Sequence, residues 1–346
     1  MPDLNQYAQA AVLTYEGQVL SVNELAQHYI PQLEVGEVVP EWLDLPIKQK
    51  QATGTFVVQG TVFEVRCTQQ KQGQLYLFAP TTGGGISNGQ MDHALAQMRK
   101  IMGEFLTEIG PYTANESGPL SQQDKGEFSR SYHRMMRLIE NLDYVNAQAQ
   151  KEAPDYHPIT INFNALCRQV VEEAASVLQE SGTEIEYKDA NAMLLLFGDP
   201  VLLKRMLLGL ISNSAKGAKE GRIWISLQRR KGRLILRVTD NGTINDSRRR
   251  MAMVQQDTPG ALPLPDSGAG LGMSVIRSIV HRHQGVLMVE WGKETTSVVI
   301  SFPIGSGSPM LSVQTPRMDR TGGLFPLMVE LSDVLPAHLY SMEGLN

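Results

Sequence analysis

Gly268-Ala269-Gly270-Leu271-Gly272-Met273-Ser274, running on as VIRSIVHRHQG to Gly285, places three glycines at alternate positions just ahead of a segment in which Leu271, Val275 and Ile279 recur at helical spacing. Backbone N–H groups at a helix start gather anions, and glycine leaves the room a phosphate needs. The run does not follow a strand directly in a βαβ unit, so it is not a dinucleotide-binding loop. No Gly-Lys-Ser/Thr follows, so it is not a Walker loop either.

Two stretches upstream carry complementary chemistry. In LLGLISNSAKGA (207–218) the residues Gly209, Asn213 and Lys216 are spaced by four and three, so they share one face of a helix expected over Pro200–Lys219. Asn213 offers an uncharged oxygen that suits a hard cation such as Mg²⁺, and Lys216 can offset phosphate charge; alone, such residues form a solvated face. In VTDNG (238–242) the strand Arg233–Asp240 ends in a carboxylate that can accept a hydrogen bond from an exocyclic amine, and Gly242 lets backbone approach a base. Alone, it reads as a strand closing in an Asn-Gly turn. Around these lie strands at Thr160–Phe163, Glu184–Lys188, Met193–Phe197, Arg222–Arg229, Val286–Trp291 and Thr295–Phe302. A helix is expected after a cap at Asn164, and Gly285 is expected to stop the helix that follows the glycine run. Val298, Ile300 and Phe302 alternate, which predicts one buried face for the last strand. The order is that of an α/β sandwich with helices on one side of a mixed sheet.

Ahead of this part the period changes. Met91, Leu95, Met98, Met102, Phe105 and Ile109 step by four and three, as do Phe128, Tyr132, Met135, Ile139 and Leu142. Two such helices joined across Pro111–Pro119 make an antiparallel hairpin over 86–152. A lone hairpin leaves its seam half covered, so a homodimer forming a four-helix bundle is expected; the alternative is packing against the chain's own remainder.

Residues 1–80 alternate short strands and turns. Ala11–Tyr15, a Glu16-Gly17 turn, Gln18–Val22, a short helix capped by Asn23, Thr55–Val58, Thr61–Thr68 and Gln74–Ala79 follow in order. This pattern, with VNELA (22–26), resembles a small PAS sensor domain. No histidine or cysteine is placed to attach haem or flavin. Ordinary apolar content (42%), few charges (19%) and a net charge of −5 point away from nucleic acid and anionic membranes. Cys67 and Cys167 read as separate buried thiols. Met1–Tyr7 carries no signal peptide, and Met193–Ile211, the longest apolar run, is broken by Asp199, Pro200, Lys204 and Arg205. A cytoplasmic protein without a membrane span is therefore expected.

Together and in this order, LLGLISNSAKGA, VTDNG, GAGLGMSVIRSIVHRHQG and the terminal ETTSVVISFP (294–303) resemble the N, G1 and G2 boxes and last strand of the sensor histidine kinase catalytic domain, of the GHKL ATPase superfamily. The resemblance covers 158–304, with the hairpin as the dimerisation and phosphotransfer element. It implies a multidomain α+β protein: a PAS-like domain, a dimeric hairpin, a GHKL α/β sandwich, and a tail, 305–346, of unread role in which Leu324–Leu335 is apolar enough to dock. Carried over, Asn213 holds Mg²⁺, Asp240 takes the adenine of ATP, and Gly242, Gly268, Gly270, Leu271 and Gly272 line the nucleotide, with Lys216 near its phosphates. Residues 243–267 become an ATP lid, in which Arg248-Arg249-Arg250 could reach phosphates or form a solvated basic run.

The match has departures. Gly209 stands where an earlier N-box asparagine is usual, Ile244 replaces a second G1 glycine, and Glu294 replaces a glycine before the last strand. Aligning the hairpin seam puts Asp92 at the phospho-acceptor position. Sliding by one puts His93 there, but Ala94 then replaces the following acid, and no proline appears. His93 falls outside the Met91/Leu95 seam and is the candidate acceptor; His133 ranks below it. The expected activity is transfer of the γ-phosphoryl of Mg-ATP to His93 and on to a response regulator. The alternatives are a degenerate homologue acting as a nucleotide-binding dimeric scaffold or switch, and a GHKL ATPase of another kind, such as an anti-sigma kinase.

Overall fold

In the computed structural model, the structure describes residues 4–80, 88–113, 121–149, 156–218, 221–241, 271–292, 294–304 and 326–341. The N-terminal segment supplies β1 (Ala10–Tyr15), β2 (Gln18–Val22), α1 (Glu24–Tyr29), β3 (Gln51–Val58), β4 (Thr61–Gln70) and β5 (Gly73–Pro80). Asn23 caps α1 as expected: its Oδ1 accepts from Ala26 N and from Ala11 N, both at 2.9 Å, so one side chain also fixes the helix to β1. The Glu16-Gly17 turn has both residues at positive φ, 49° and 80°, which sets β2 back against β1.

The two heptad segments form α2 (Asn88–Thr113) and α3 (Gln122–Ala149), packed on each other. Ser121 and Asp124 close the α3 start reciprocally, Ser121 N donating to Asp124 Oδ2 at 3.0 Å and Asp124 N to Ser121 Oγ at 3.2 Å. The seam divides. Met98, Met135 and Leu142 pack on the buried cluster Ala94, Ile101, Leu138 and Leu271, whose last member lies outside the hairpin. Met91, Leu95, Met102, Leu106 and Tyr132 stay exposed in the single chain.

The remainder comprises β6 (Ile159–Asn162), α4 (Phe163–Leu178), β7 (Glu184–Lys188), β8 (Leu195–Gly198), α5 (Pro200–Gly217), β9 (Arg222–Arg230), β10 (Arg233–Asp240), α6 (Leu271–Arg282), β11 (Val286–Trp291), β12 (Thr296–Pro303) and α7 (Pro326–Glu330), followed by a 3₁₀ turn at Ala337–Tyr340. Asn162, not Asn164, caps α4; Asn164 is buried inside the helix, where its Nδ2 donates to Ala192 O at 3.0 Å and its Oδ1 accepts from Tyr187 Oη at 2.7 Å. Gln284, not Gly285, takes the positive φ (55°) after α6; Gly285 is required by packing instead, since a Cβ there would lie 2.8 Å from Phe302 and Val280.

Sheet order is β2-β1-β5-β4-β3-β11-β12-β10-β9-β7, ten strands in one sheet, with β6 and β8 paired separately. The N-terminal strands and the C-terminal strands are thus joined through β3 and β11, in the antiparallel register Ala52↔Glu290 to Thr55↔Leu287. Gly54 permits the join: a Cβ there would overlap the Leu287 carbonyl oxygen and lie 2.8 Å from Met288 Cα. This join also changes β12. The expectation of one buried face fails, since Val298, Ile300 and Phe302 face the core under α4, α5 and α6 while Val299 belongs to a second core with Phe56, Val286 and Met288. Every residue of β12 before Pro303 is buried.

Candidate functional site

Asp199-Pro200 starts α5: Asp199 Oδ1 accepts from Val201 N at 2.9 Å and Leu202 N at 3.2 Å, and its Oδ2 accepts from His157 N at 2.9 Å. Asp199 N donates in turn to His283 Nε2 at 2.9 Å, and His283 Nδ1 lies 2.7 Å from Ile279 O, which fixes Nδ1 as the protonated nitrogen. Burial holds the His283 pKa below its ordinary value, in keeping with that neutral tautomer. The start of α5 is thereby pinned to the end of α6.

Along the same helix, Gly209 lets α6 come close, since a Cβ there would meet Ile276 Cδ1 at 3.3 Å. At the far end a Cβ on Gly217 would meet Asp240 Oδ1 at 3.4 Å, so the last turn of α5 lies against the carboxylate that closes β10. Asp240 is 7% exposed. Asn213, half-buried between buried Ser212 and Ser214, sits one turn before Gly217. Gly272, at the start of α6, has open space around the direction a side chain would take. α5 therefore meets β10 at Gly217 and Asp240, four residues past Asn213, and meets α6 at Gly209 and Ile276, four residues past Gly272. Gly242, Gly268, Gly270, Ile244 and Arg248–Arg250 lie outside the described residues.

Lys216 departs from expectation. Its ammonium is ion-paired with Asp333, beyond α7, and does not stand free beside Asn213. Burial and nearby Arg137 lower the Lys216 pKa. Burial tends to raise the Asp333 carboxyl, but Lys216, Arg137 and Arg134 overcome it and hold that group far below the usual carboxylate range. Sequence reading missed Asp333 and Glu330 because their partners lie about a hundred residues or more upstream. It also missed His283; the Asp199-Pro200 pair, in contrast, is a visible helix-start signal.

Leu271 carries the opening of α6 into the hairpin cluster with Ala94 and Leu138. His93 is on α2, directly before Ala94, and its side chain lies outside the described ones. His133 is 2% exposed, with Nδ1 2.7 Å from Ser129 O and its ring 4.9 Å from that of Tyr340, which removes it from the surface where an acceptor is needed. Glu294 is exposed ahead of β12.

Residues 198–306 match the family described as histidine kinase-, DNA gyrase B- and HSP90-like ATPase. This segment is an ATPase domain of that family. Asn213, Lys216, Asp240 and Gly272 all fall inside the ATPase domain, whereas β6 and α4 precede it. The chain is similar to sporulation kinase B of Bacillus subtilis (strain 168), 26% identical over 152 residues; the match spans 43% of this chain and 34% of that protein, about a third of its length. Among solved structures it is similar to the Acinetobacter baumannii histidine kinase AdeS, 15% identical, TM-score 0.47, covering 61% of this chain and 98% of that one. The histidine kinase ThkA in complex with the response regulator protein TrrA matches at 14% identity and TM-score 0.41, over 88% of this chain and 98% of that chain.

No helix among the described residues is long and apolar enough to cross a membrane. Cys67 and Cys167 are free and buried, and burial pushes the Cys67 thiol up to about 12. A cavity of about 330 Å³ lies between the N-terminal segment and the end of β9, lined by residues that include Tyr15, Asp44, Tyr76 and Arg230.

Proposed function

We propose that the chain is a cytoplasmic sensor histidine kinase that binds Mg-ATP, transfers the γ-phosphoryl group to His93 and passes it to an aspartate of a response regulator. The observation that carries this reading is the last turn of α5, four residues past Asn213, lying against the Asp240 carboxylate within the ATPase domain. The parts suit a nucleotide. A buried carboxylate at a strand end accepts from the adenine amine; the Asn213 amide oxygen suits Mg²⁺; the N–H groups at the start of α6, with space left by Gly272, suit phosphate. The fit is one of positioning and charge neutralisation, which is what phosphoryl transfer requires of a protein. The cluster shared by Leu271 and Ala94 brings α2 to the start of α6, which supports His93 as the acceptor.

Residues 1–80 serve as a PAS-like sensor in this reading, and the exposed stripe Met91, Leu95, Met102 and Leu106 pairs with a second copy to complete a four-helix bundle. The second reading, a catalytically degenerate scaffold or switch, is favoured by Ala94, a buried apolar residue where an acid would receive the proton, and by the engagement of Lys216 with Asp333. Incubation with γ-labelled ATP separates the two. The kinase reading expects acid-labile label that is lost in His93→Ala; label that persists in that variant removes His93 as the acceptor, and no label in the parent leaves the scaffold. ATP binding abolished by Asp240→Ala is common to both.

A further inference from the structure

The segment Pro326–Ser341 crosses the hairpin and the ATPase domain together. Leu327, Met328, Leu331, Leu335 and Tyr340 are buried in the ATPase-side core, and α7 rests on both α3 and α5. The 3₁₀ turn lies so close to α3 that only glycine fits at position 126, where a Cβ would overlap the Ala337 carbonyl oxygen and lie 2.9 Å from its carbon. Two carboxylates of the segment gather four cations from two helices. Glu330 accepts from Arg137 Nε at 3.0 Å and Arg205 Nε at 3.2 Å. Asp333 accepts from Arg137 Nη1 at 2.7 Å and Arg134 Nε at 3.1 Å, and is also paired with Lys216. Arg134 and Arg137 belong to α3; Arg205 and Lys216 belong to α5. Without the segment, these like charges would face one another across the hairpin–ATPase contact with few carboxylates left between them, Glu104 on Arg134 being one.

We propose that residues 326–341 are an autoinhibitory clasp, which locks α3 of the hairpin onto α5 and occupies through Asp333 the lysine one turn beyond Asn213. The clasp rests on the nucleotide reading above, because its inhibitory effect is a competition between the Asp333 carboxylate and the phosphates of ATP for Lys216. Binding free energies couple reciprocally, so nucleotide loosens the clasp by the same factor by which the clasp weakens nucleotide binding. A clasped chain also has α3 held in one position, which restrains the movement of the acceptor helix relative to the ATPase domain.

The test measures binding of a non-hydrolysable ATP analogue with Mg²⁺ by calorimetry, on the full chain, in the parent, Asp333→Asn, Gly126→Val and Asp240→Ala. Asp333→Asn removes the competing charge. Gly126→Val displaces the segment from α3 without touching α5 or the nucleotide residues. Both are expected to bind about fivefold or more tightly than the parent, the lower end of ordinary coupling. Adding Lys216→Met to Asp333→Asn cancels the gain, and the analogue speeds amide exchange over 326–341 in the parent. Binding that depends on Asp240 but changes by less than about twofold in both clasp variants overturns the clasp alone. Absence of binding in the parent and in both clasp variants overturns the nucleotide reading and the clasp with it.

Discussion

Substituting Gly54 by alanine tests whether β3 and β11 are joined in solution. The added Cβ would overlap the Leu287 carbonyl oxygen and sit 2.8 Å from Met288 Cα, where carbon atoms pack comfortably at about 3.5–4.0 Å. Relief requires the strands to part by roughly 1 Å, which stretches ladder bonds of about 2.9 Å out of range. The overlap falls within the register Ala52↔Glu290 to Thr55↔Leu287, so the ladder bond nearest Gly54 is the one lost. At about 1 kcal/mol net for each bond lost, plus overpacking of about 1–3 kcal/mol, the cost is about 2–4 kcal/mol. In urea this lowers the midpoint by about 1 M for a slope of about 2–3 kcal/mol/M. Gly103→Ala is the control: its Cβ would meet nothing within 4 Å, and the better helix propensity should raise stability by up to about 1 kcal/mol. A Gly54→Ala midpoint equal to that of the parent, with β3 and β11 amides still protected from exchange, would refute the shared sheet.

Four further outcomes are expected. Burial lowers the His281 pKa from 6.5 to about 4, with Nε2 3.0 Å from Thr55 Oγ1. Below pH 6.5 the unfolded chain takes up a proton that the folded chain refuses until about pH 4, so stability falls across that window by roughly 3 kcal/mol. His281→Asn should flatten the slope in urea melts between those limits, leaving the smaller contribution of His283, which has the same sign. Gly272→Ala should fold as well as the parent, since its Cβ has open space, yet lose nucleotide affinity, read by calorimetry beside a melting curve. Arg137→Met removes the cation that Glu330 and Asp333 share, leaving Glu330 to Arg205 and Asp333 to Arg134 and Lys216, and should cost about 1.5–3 kcal/mol in urea unfolding, more than removal of the exposed Arg222–Glu184 pair, worth about 0–1 kcal/mol. Asp199→Ala removes the α5 cap and an acceptor for His157 N, and should cost about 1–2 kcal/mol by the same assay.

Local chemistry was readable from the chain. Asn23 capped the helix it was assigned, Asp199-Pro200 opened α5, and the helix expected from Leu271, Val275 and Ile279 is present as α6. Such features depend on a few neighbouring residues. Long-range pairing was not readable. Nothing in the alternation of Gln51–Val58 names β11 as its partner; the clue is the missing side chain at Gly54, and it has meaning only once Met288 is known to lie opposite. The second buried face of β12 follows from that same pairing. Glu330 is charged within a mostly apolar run, and its role emerges only when Arg137 of α3 and Arg205 of α5 converge on α7. Asn162 and Asn164 show the remaining limit: both can cap, and the choice is made by Asp189, Ala192 and Tyr187 around the second.

The joined sheet has a practical corollary for dissecting the protein. Strands β3 and β11 each satisfy the other's outward N–H and C=O groups, and β11 is buried from Val286 to Glu290. Expressed without residues 4–80, the ATPase domain would offer Val286-Leu287-Met288-Val289 as a bare apolar border, a template for stacking chain upon chain. Fragments that begin after Pro80 should therefore precipitate or form non-native pairs, and work on the ATPase domain is better done with the N-terminal strands retained.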